Sequence, residues 1–292
     1  MKHIRIYLFF SFFLAWLMWI SIIYFKLSDT LSSVLTLVPM FMPAIAALIM
    51  KIITKSERAL LVSLEPQINE NIKWYLVAWL LPIIFTFLGA FLYYCIFRND
   101  FDLTFGRLQQ EIINKTGQLS DNPLRIANSK ILSAVLFQPF INVFLCLGEE
   151  IGWRGFLFPA LIQHTSRSKA YILVGVIWGV WHTPLTIMGH NYGLEYFGYP
   201  WSGIFTLCIF TFSSGVFLSW LTENSLTIWP AALAHSTINS MGKIPYLFLN
   251  ITGSSNRLFG PAITGLISAI PMVILASILI IKENKRCVKQ ND

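Results

Sequence analysis

The most constraining feature of this chain is a series of apolar stretches, near residues 4–25, 31–53, 73–97, 131–162, 170–188, 201–221, 225–246 and 258–281. A helix of ~20 apolar residues crosses a hydrocarbon core of ~30 Å. Within lipid every backbone N–H and C=O must be satisfied internally, which leaves helices or a closed barrel, and nothing here alternates with the period of a barrel strand. The predicted fold is therefore all-α: a polytopic integral membrane helical bundle of about eight transmembrane helices, forming one membrane domain over residues 1–292. Composition agrees, with 55% hydrophobic and only 12% charged residues, where a soluble domain has roughly a quarter charged. The first stretch, Ile4 to Phe25, is too long for a signal-peptide core and lacks a small-residue cleavage site, so it reads as a span.

A formal net charge of +7 does not indicate a nucleic-acid partner, because the basic residues lie in connections and at the tail instead of along one face. Lys2, Arg5, Lys51, Lys55, Arg58, Lys73, Arg167, Lys169, Lys282, Lys285, Arg286 and Lys289 fall on one side, against Lys26, Lys243 and Arg257 in short loops on the other. The positive-inside rule then expects a multi-pass protein of the cell membrane with both termini cytoplasmic. Trp16, Trp19, Trp74, Trp79, Trp201 and Trp220 lie near proposed helix ends, as an interfacial belt would place them. The long connection from Arg98 to Lys130 contains Phe101, Leu103, Phe105, Leu108, Ile112 and Ile113, a set suited to an amphipathic surface helix. Cys95, Cys146, Cys208 and Cys287 show no CxxC spacing and read as small packing residues.

Ionisable residues inside membrane spans are costly and mark function by default. Three segments concentrate them. In the fourth span, Glu149-Glu150-Ile-Gly-Trp-Arg154 sets Glu150 and Arg154 four apart on one helical face, where they can pair, while Glu149 is rotated away. In the fifth, Trp178 precedes His182 by one turn; in the seventh, His235 and Asn239 share a face. Taken singly, each has a structural alternative: a buried salt bridge, a packing histidine, a helix-to-helix polar contact. Depth joins them. Counted from the turn at 164–169, Glu149 lies about 20 Å and His182 about 18 Å along their helices, and His235 and Asn239 lie about 15 to 21 Å beyond the turn at 223–224. Three spans thus bring polar groups to one layer, expected to be reached from the cytoplasmic side.

A carboxylate and an imidazole flanking a water can activate it, and His235 with Asn239 could stabilise an oxyanion, which together amount to peptide hydrolysis. Glu149, His182 and His235 could instead hold zinc, the one cofactor left open, although the spacing is not HExxH. Expected partners are membrane lipid and a peptide or protein substrate delivered at the membrane. A proton-coupled carrier is a competing reading, without an inverted repeat to support it.

Glu149-Glu150-xxx-Arg154, Trp178-xxx-His182 and His235-xxx-Asn239 resemble, in order and placement, the EExxxR, FxxxH and HxxxN motifs of the CAAX prenyl protease and bacteriocin-processing (CPBP, or ABI) family of intramembrane proteases. The resemblance spans about residues 131 to 243 and departs from the family at Trp178, where Phe is usual. It implies an eight-helix architecture and intramembrane endopeptidase activity in which Glu149 and His182 activate water, His235 and Asn239 form the oxyanion site, and Glu150 and Arg154 support the geometry. It also implies an alternative, a non-proteolytic protein of the same fold acting in bacteriocin self-immunity or as a scaffold.

Overall fold

The computed structural model describes residues 1–25, 29–54, 62–251 and 257–289. Lys26, Lys55 and Arg58, and the side chains of Arg286, Cys287 and Lys289, lie outside the described residues. The described chain is helical, with two isolated β-bridges, Ser63 to Thr227 and Phe101 to Leu249. Helix α1 (Lys2–Phe25) is followed by α2 (Asp29–Leu35), a short 3-10 turn (Val38–Phe41) and α3 (Met42–Thr54), and then by the long α4 (Ile68–Ile96). Helices α5 (Gly106–Thr116) and α6 (Pro123–Leu136) lead into α7 (Gln138–Gly152), a π-helical turn (Trp153–Leu157) and α8 (Phe158–Ile162). The remainder comprises α9 (Arg167–Trp181), α10 (Thr183–Ile187), α11 (Trp201–Ser225), α12 (Trp229–Met241) and α13 (Ile270–Lys289).

By length and composition α1, α4 and α11 can each cross a membrane, and α6 with residues 138–162 forms a pair bent by 50° that passes as one broken span. A helical membrane bundle fits; eight uninterrupted crossings are not established. Proline and glycine explain the shortfall. The stretch at 31–53 is divided around Pro39 and Pro43, and that at 170–188 stops at His182 ahead of Pro184, since proline supplies no N–H and disfavours helix in the residue before it. At 225–246, Leu226 has φ 57°, so α12 begins only at Trp229 and ends before Pro245. At 258–281 the helix begins at Ile270, and residues 257–269 are turns that pass through Gly260 and Pro261.

The core is formed largely by α1, α3, the π-helical turn, α9, α11, α12 and α13. Close approach depends on missing side chains. A Cβ on Gly215 of α11 would lie 2.7 Å from Gly175 Cα of α9, and one on Gly152 would lie 2.5 Å from the Pro43 carbonyl carbon. Membrane helices pack through such small-residue contacts because lipid gives apolar side chains no reason to leave it. Several tryptophans expected in an interfacial belt are instead ties between helices. Trp19 is fully buried against Trp181 with ring centroids 4.6 Å apart, Trp16 donates to the Trp181 carbonyl at 2.9 Å, and Trp79 donates to the Val135 carbonyl at 2.7 Å. Trp201, at 75% exposure, keeps an outward position.

One end of the bundle gathers the basic residues near the terminus. The Met1 amino group lies 3.1 Å from His164 Nε2, and Arg167 pairs with Glu223 at 3.3 Å and with Glu283 at 3.4 Å, while Tyr171 also donates to Glu223. Lys2, Arg5, Arg167, Lys169, Lys282 and Lys285 therefore share this end. At the distal end, Tyr94 donates to the Pro245 carbonyl at 2.8 Å and Tyr192 to the Thr264 carbonyl at 2.9 Å. The expected amphipathic helix is α5, but only part of the predicted set serves it: Phe105 and Leu108 are buried against α6 and the 244–248 turn, whereas Phe101 and Leu103 precede the helix and are exposed. Among the cysteines, Cys146 is buried and Cys208 half-buried, but Cys95 is exposed and does not pack as expected.

Candidate active site

The carboxylates stand on the last turn of α7, and the π-helical turn that follows supplies their nearest partners. Pro159 has no N–H to offer the Gly155 carbonyl, which leaves the turn ahead of it free to widen. Both Arg154 and Trp153 reach back from this turn. Arg154 Nη1 approaches Glu150 Oε1 at 3.0 Å and Oε2 at 2.9 Å, so the predicted pair is present, with both side chains at 0% exposure. Arg154 Nη2 faces the Gly215 carbonyl at 3.5 Å, and Nε is buried without a hydrogen-bond partner among the described residues. Glu150 does more than neutralise Arg154: its Oε1 also lies 2.9 Å from His235 Nδ1.

Glu149 is not left free. Its Oε2 accepts hydrogen bonds from the Trp178 indole N–H at 2.7 Å and from the Trp153 indole N–H at 3.3 Å. Both donors converge on one oxygen, so Oε1 has no protein partner among the described residues, and the side chain keeps 2% exposure.

His182 lies at the break between α9 and α10, not inside a continuous span, with φ −78° and ψ 1°. As the helix tightens there, the backbone N–H of His182 bonds to the Gly179 carbonyl at 3.1 Å. The Trp178 carbonyl, four residues back, is thereby left for the His182 side chain, whose Nδ1 stands 2.8 Å away. A carbonyl can only accept, so Nδ1 carries the hydrogen and a neutral His182 presents an unprotonated Nε2. His235, on α12, likewise turns Nδ1 to an acceptor, Glu150. The Trp178 ring meets both histidines edge to face, at 5.0 Å from His235 and 5.7 Å from His182, and Arg154 Cζ lies 5.0 Å from its centroid.

Asn239 departs from expectation. It and His235 do not converge on one partner here: His235 faces Glu150, while Asn239 Nδ2 lies 3.7 Å from Cys146 Sγ. Between Pro230 and Met241, Asn239 alone is exposed. Lys243, just beyond α12, and His190 are exposed as well, and His190 is close enough to His182 and Lys243 to interact electrostatically. The exposed polar groups nearest the site therefore lie toward the distal end, not toward the turn at 164–169 from which access was expected. Nor do Glu149, His182 and His235 form a metal-binding cluster: among the described residues no three His, Cys, Asp or Glu side chains converge as ligands. In this arrangement the carboxylate and imidazoles do not fit a His2Glu zinc set.

The three segments singled out in the sequence meet here, and two donors that join them, the indoles of Trp178 and Trp153, were not among the candidates. Trp178 was noted only as an aromatic in a motif, and Trp153 was one of the unnamed positions between Glu150 and Arg154. A signal existed for Trp153, four residues after Glu149 and so on its face. For His190, in a loop, there was none.

Residues 131–241 match the family model described as "Type II CAAX prenyl endopeptidase Rce1-like". A stretch of 103 residues is 35% identical to "CAAX prenyl protease 2" of Methanococcus maripaludis; it covers 34% of this chain and 37% of that relative, so the match spans well under half of either protein. The matched region contains Glu149, Glu150, Arg154, His182, His235 and Asn239, the residues drawn together between α7, α9 and α12. That region is similar to the CPBP family of CAAX-protease-like membrane proteins.

Proposed function

We propose that the chain is an intramembrane endopeptidase that hydrolyses a peptide bond of a membrane-delivered substrate through a water activated by Glu149 and His182. The observation that favours this reading most is the division of labour between adjacent carboxylates. Glu150 is consumed by Arg154 and His235, while Glu149 is held through one oxygen only. Glu149 Oε1 takes a proton from the water, whose oxygen bonds to the scissile carbonyl carbon. The resulting tetrahedral oxyanion is met by the Asn239 amide and by His235. His235 donates to that oxyanion from Nε2 in the form that carries both ring hydrogens, with Nδ1 turned to Glu150. As the C–N bond breaks, the proton returns to the leaving amine, with His182 Nε2 completing the transfer.

The relative's name suggests a first probe, a peptide ending in a prenylated CAAX sequence, to be compared with the same peptide anchored by an acyl chain. In purified protein in lipid, Glu149→Gln should abolish cleavage of the accepted probe, and His182→Ala should reduce it by about 10²- to 10⁴-fold, with thermal unfolding unchanged for Glu149→Gln. Retained cleavage in Glu149→Gln would overturn the assignment. The preponderance of basic residues at the terminal end favours a cell-membrane protein with both termini in the cytoplasm.

A further inference from the structure

The residue touching most of this site is one that no chemistry has been asked of. Trp178 donates its indole N–H to Glu149 Oε2 at 2.7 Å and offers its carbonyl to His182 Nδ1 at 2.8 Å; its ring lies against His235 and under Arg154. We propose that Trp178 is the positioning residue of the site, fixing through two atoms of one residue both the free oxygen of Glu149 and the tautomer of His182. The proposal rests on the endopeptidase reading above and extends it.

A glutamate has three side-chain torsions, and nothing in α7 alone determines which oxygen faces the site. A buried carboxylate takes up the donors around it. For Glu149 these are two indole N–H groups; that of Trp178 is the shorter contact, 2.7 Å against 3.3 Å for Trp153. With Oε2 occupied, Oε1 is the oxygen that can meet a water. The second hook depends on the chain break. Were α9 to continue regularly, the Trp178 carbonyl would accept the backbone N–H of His182; that N–H goes to Gly179 instead, and the carbonyl orients the imidazole. Base and imidazole are thus registered against one rigid group, as outer-shell partners register the ligands they hold.

Two substitutions separate the indole N–H from the bulk of the ring. Trp178→Phe keeps an aromatic ring and the carbonyl but removes the donor. Incorporation of 3-benzothienylalanine at position 178 keeps the bicyclic shape and replaces N–H by sulfur. Both are measured beside wild type and Glu149→Gln, with the CAAX-type peptide as probe. Loss of the donor should lower kcat by about 10- to 100-fold with KM changed by no more than about twofold, and the benzothienyl protein should unfold as wild type does. Full kcat in the benzothienyl protein, with Glu149→Gln inactive, would overturn the positioning role and leave the endopeptidase reading intact. An inactive wild type, or an active Glu149→Gln, would instead sink that reading. In that event, ultraviolet resonance Raman difference spectra still decide the contact. The indole hydrogen-bond marker of Trp178, assigned by its loss in Trp178→Phe, should shift to the weakly bonded position in Glu149→Gln. An unshifted marker would refute the hook itself.

Discussion

Removing the Glu150 carboxylate would leave the Arg154 guanidinium without its counter-charge and His235 Nδ1 without its partner, in a site where Arg154 has no exposure and His235 has 3%. Breaking a buried pair from one side costs about 3–5 kcal/mol, so Glu150→Ala should lower the unfolding midpoint sharply in a thermal melt. Glu149→Gln, which keeps its shape and loses only the charge, should not. The pairing of Glu150 with Arg154 was legible because a spacing of four fixes which side chains meet on a helix. The indole bond from Trp178 was not, since it depends on the angle at which α9 presents its ring to α7, and no local spacing encodes that angle.

At the scale of elements, α7 approaches the segment at Pro43 because Gly152 has no side chain, with Pro43 Cβ only 2.3 Å from where a Cβ would be. Overpacking of this kind costs about 1–3 kcal/mol. Gly152→Ala should therefore destabilise the protein by that amount, read from denaturant or thermal unfolding, and should impair cleavage beyond the loss of folded protein because α7 carries both carboxylates. A second prediction concerns the distal connection. Partial burial pushes the Asp102 carboxyl up, but bonds from the Thr104 hydroxyl and the backbone N–H groups of Thr104 and Gly106 outweigh it and hold Asp102 below the ordinary carboxylate value. A depressed value in the folded state means that the anchoring of α5 is complete above the unfolded value of about 3.9 and is lost as pH falls through the folded one. Amide exchange at residues 104–109 should quicken on acidification through that range, and Asp102→Ala should show the faster exchange already at neutral pH. The presence of apolar elements was easy to read from hydropathy. Their interruptions were harder: Pro184 marked one, but the left-handed turn at Leu226 had no glycine to announce it.

For the whole molecule, the two ends differ in ways that can be tested without knowing a substrate. Cys95, exposed near the distal end of α4, should react with a thiol reagent in the folded protein, and buried Cys146 should not. In a background with Cys95, Cys146, Cys208 and Cys287 replaced, Asn239→Cys should be modified from the face of the membrane opposite the termini; modification from the terminal face would contradict the placement of the opening. The gathering of three motifs in one layer was readable in the sequence because helix length fixes depth. The exposure of Asn239, Lys243 and His190 beside that layer was not, because exposure depends on how the helices and loops pack around those residues.

The solitary exposure of Asn239 between Pro230 and Met241 of α12 has a pharmacological corollary. On the proposed orientation, with the termini inside the cell, a hydrophilic inhibitor built around a tetrahedral phosphinate would not need to enter the cytoplasm, and intact cells should respond to it at the concentrations that inhibit the purified protein.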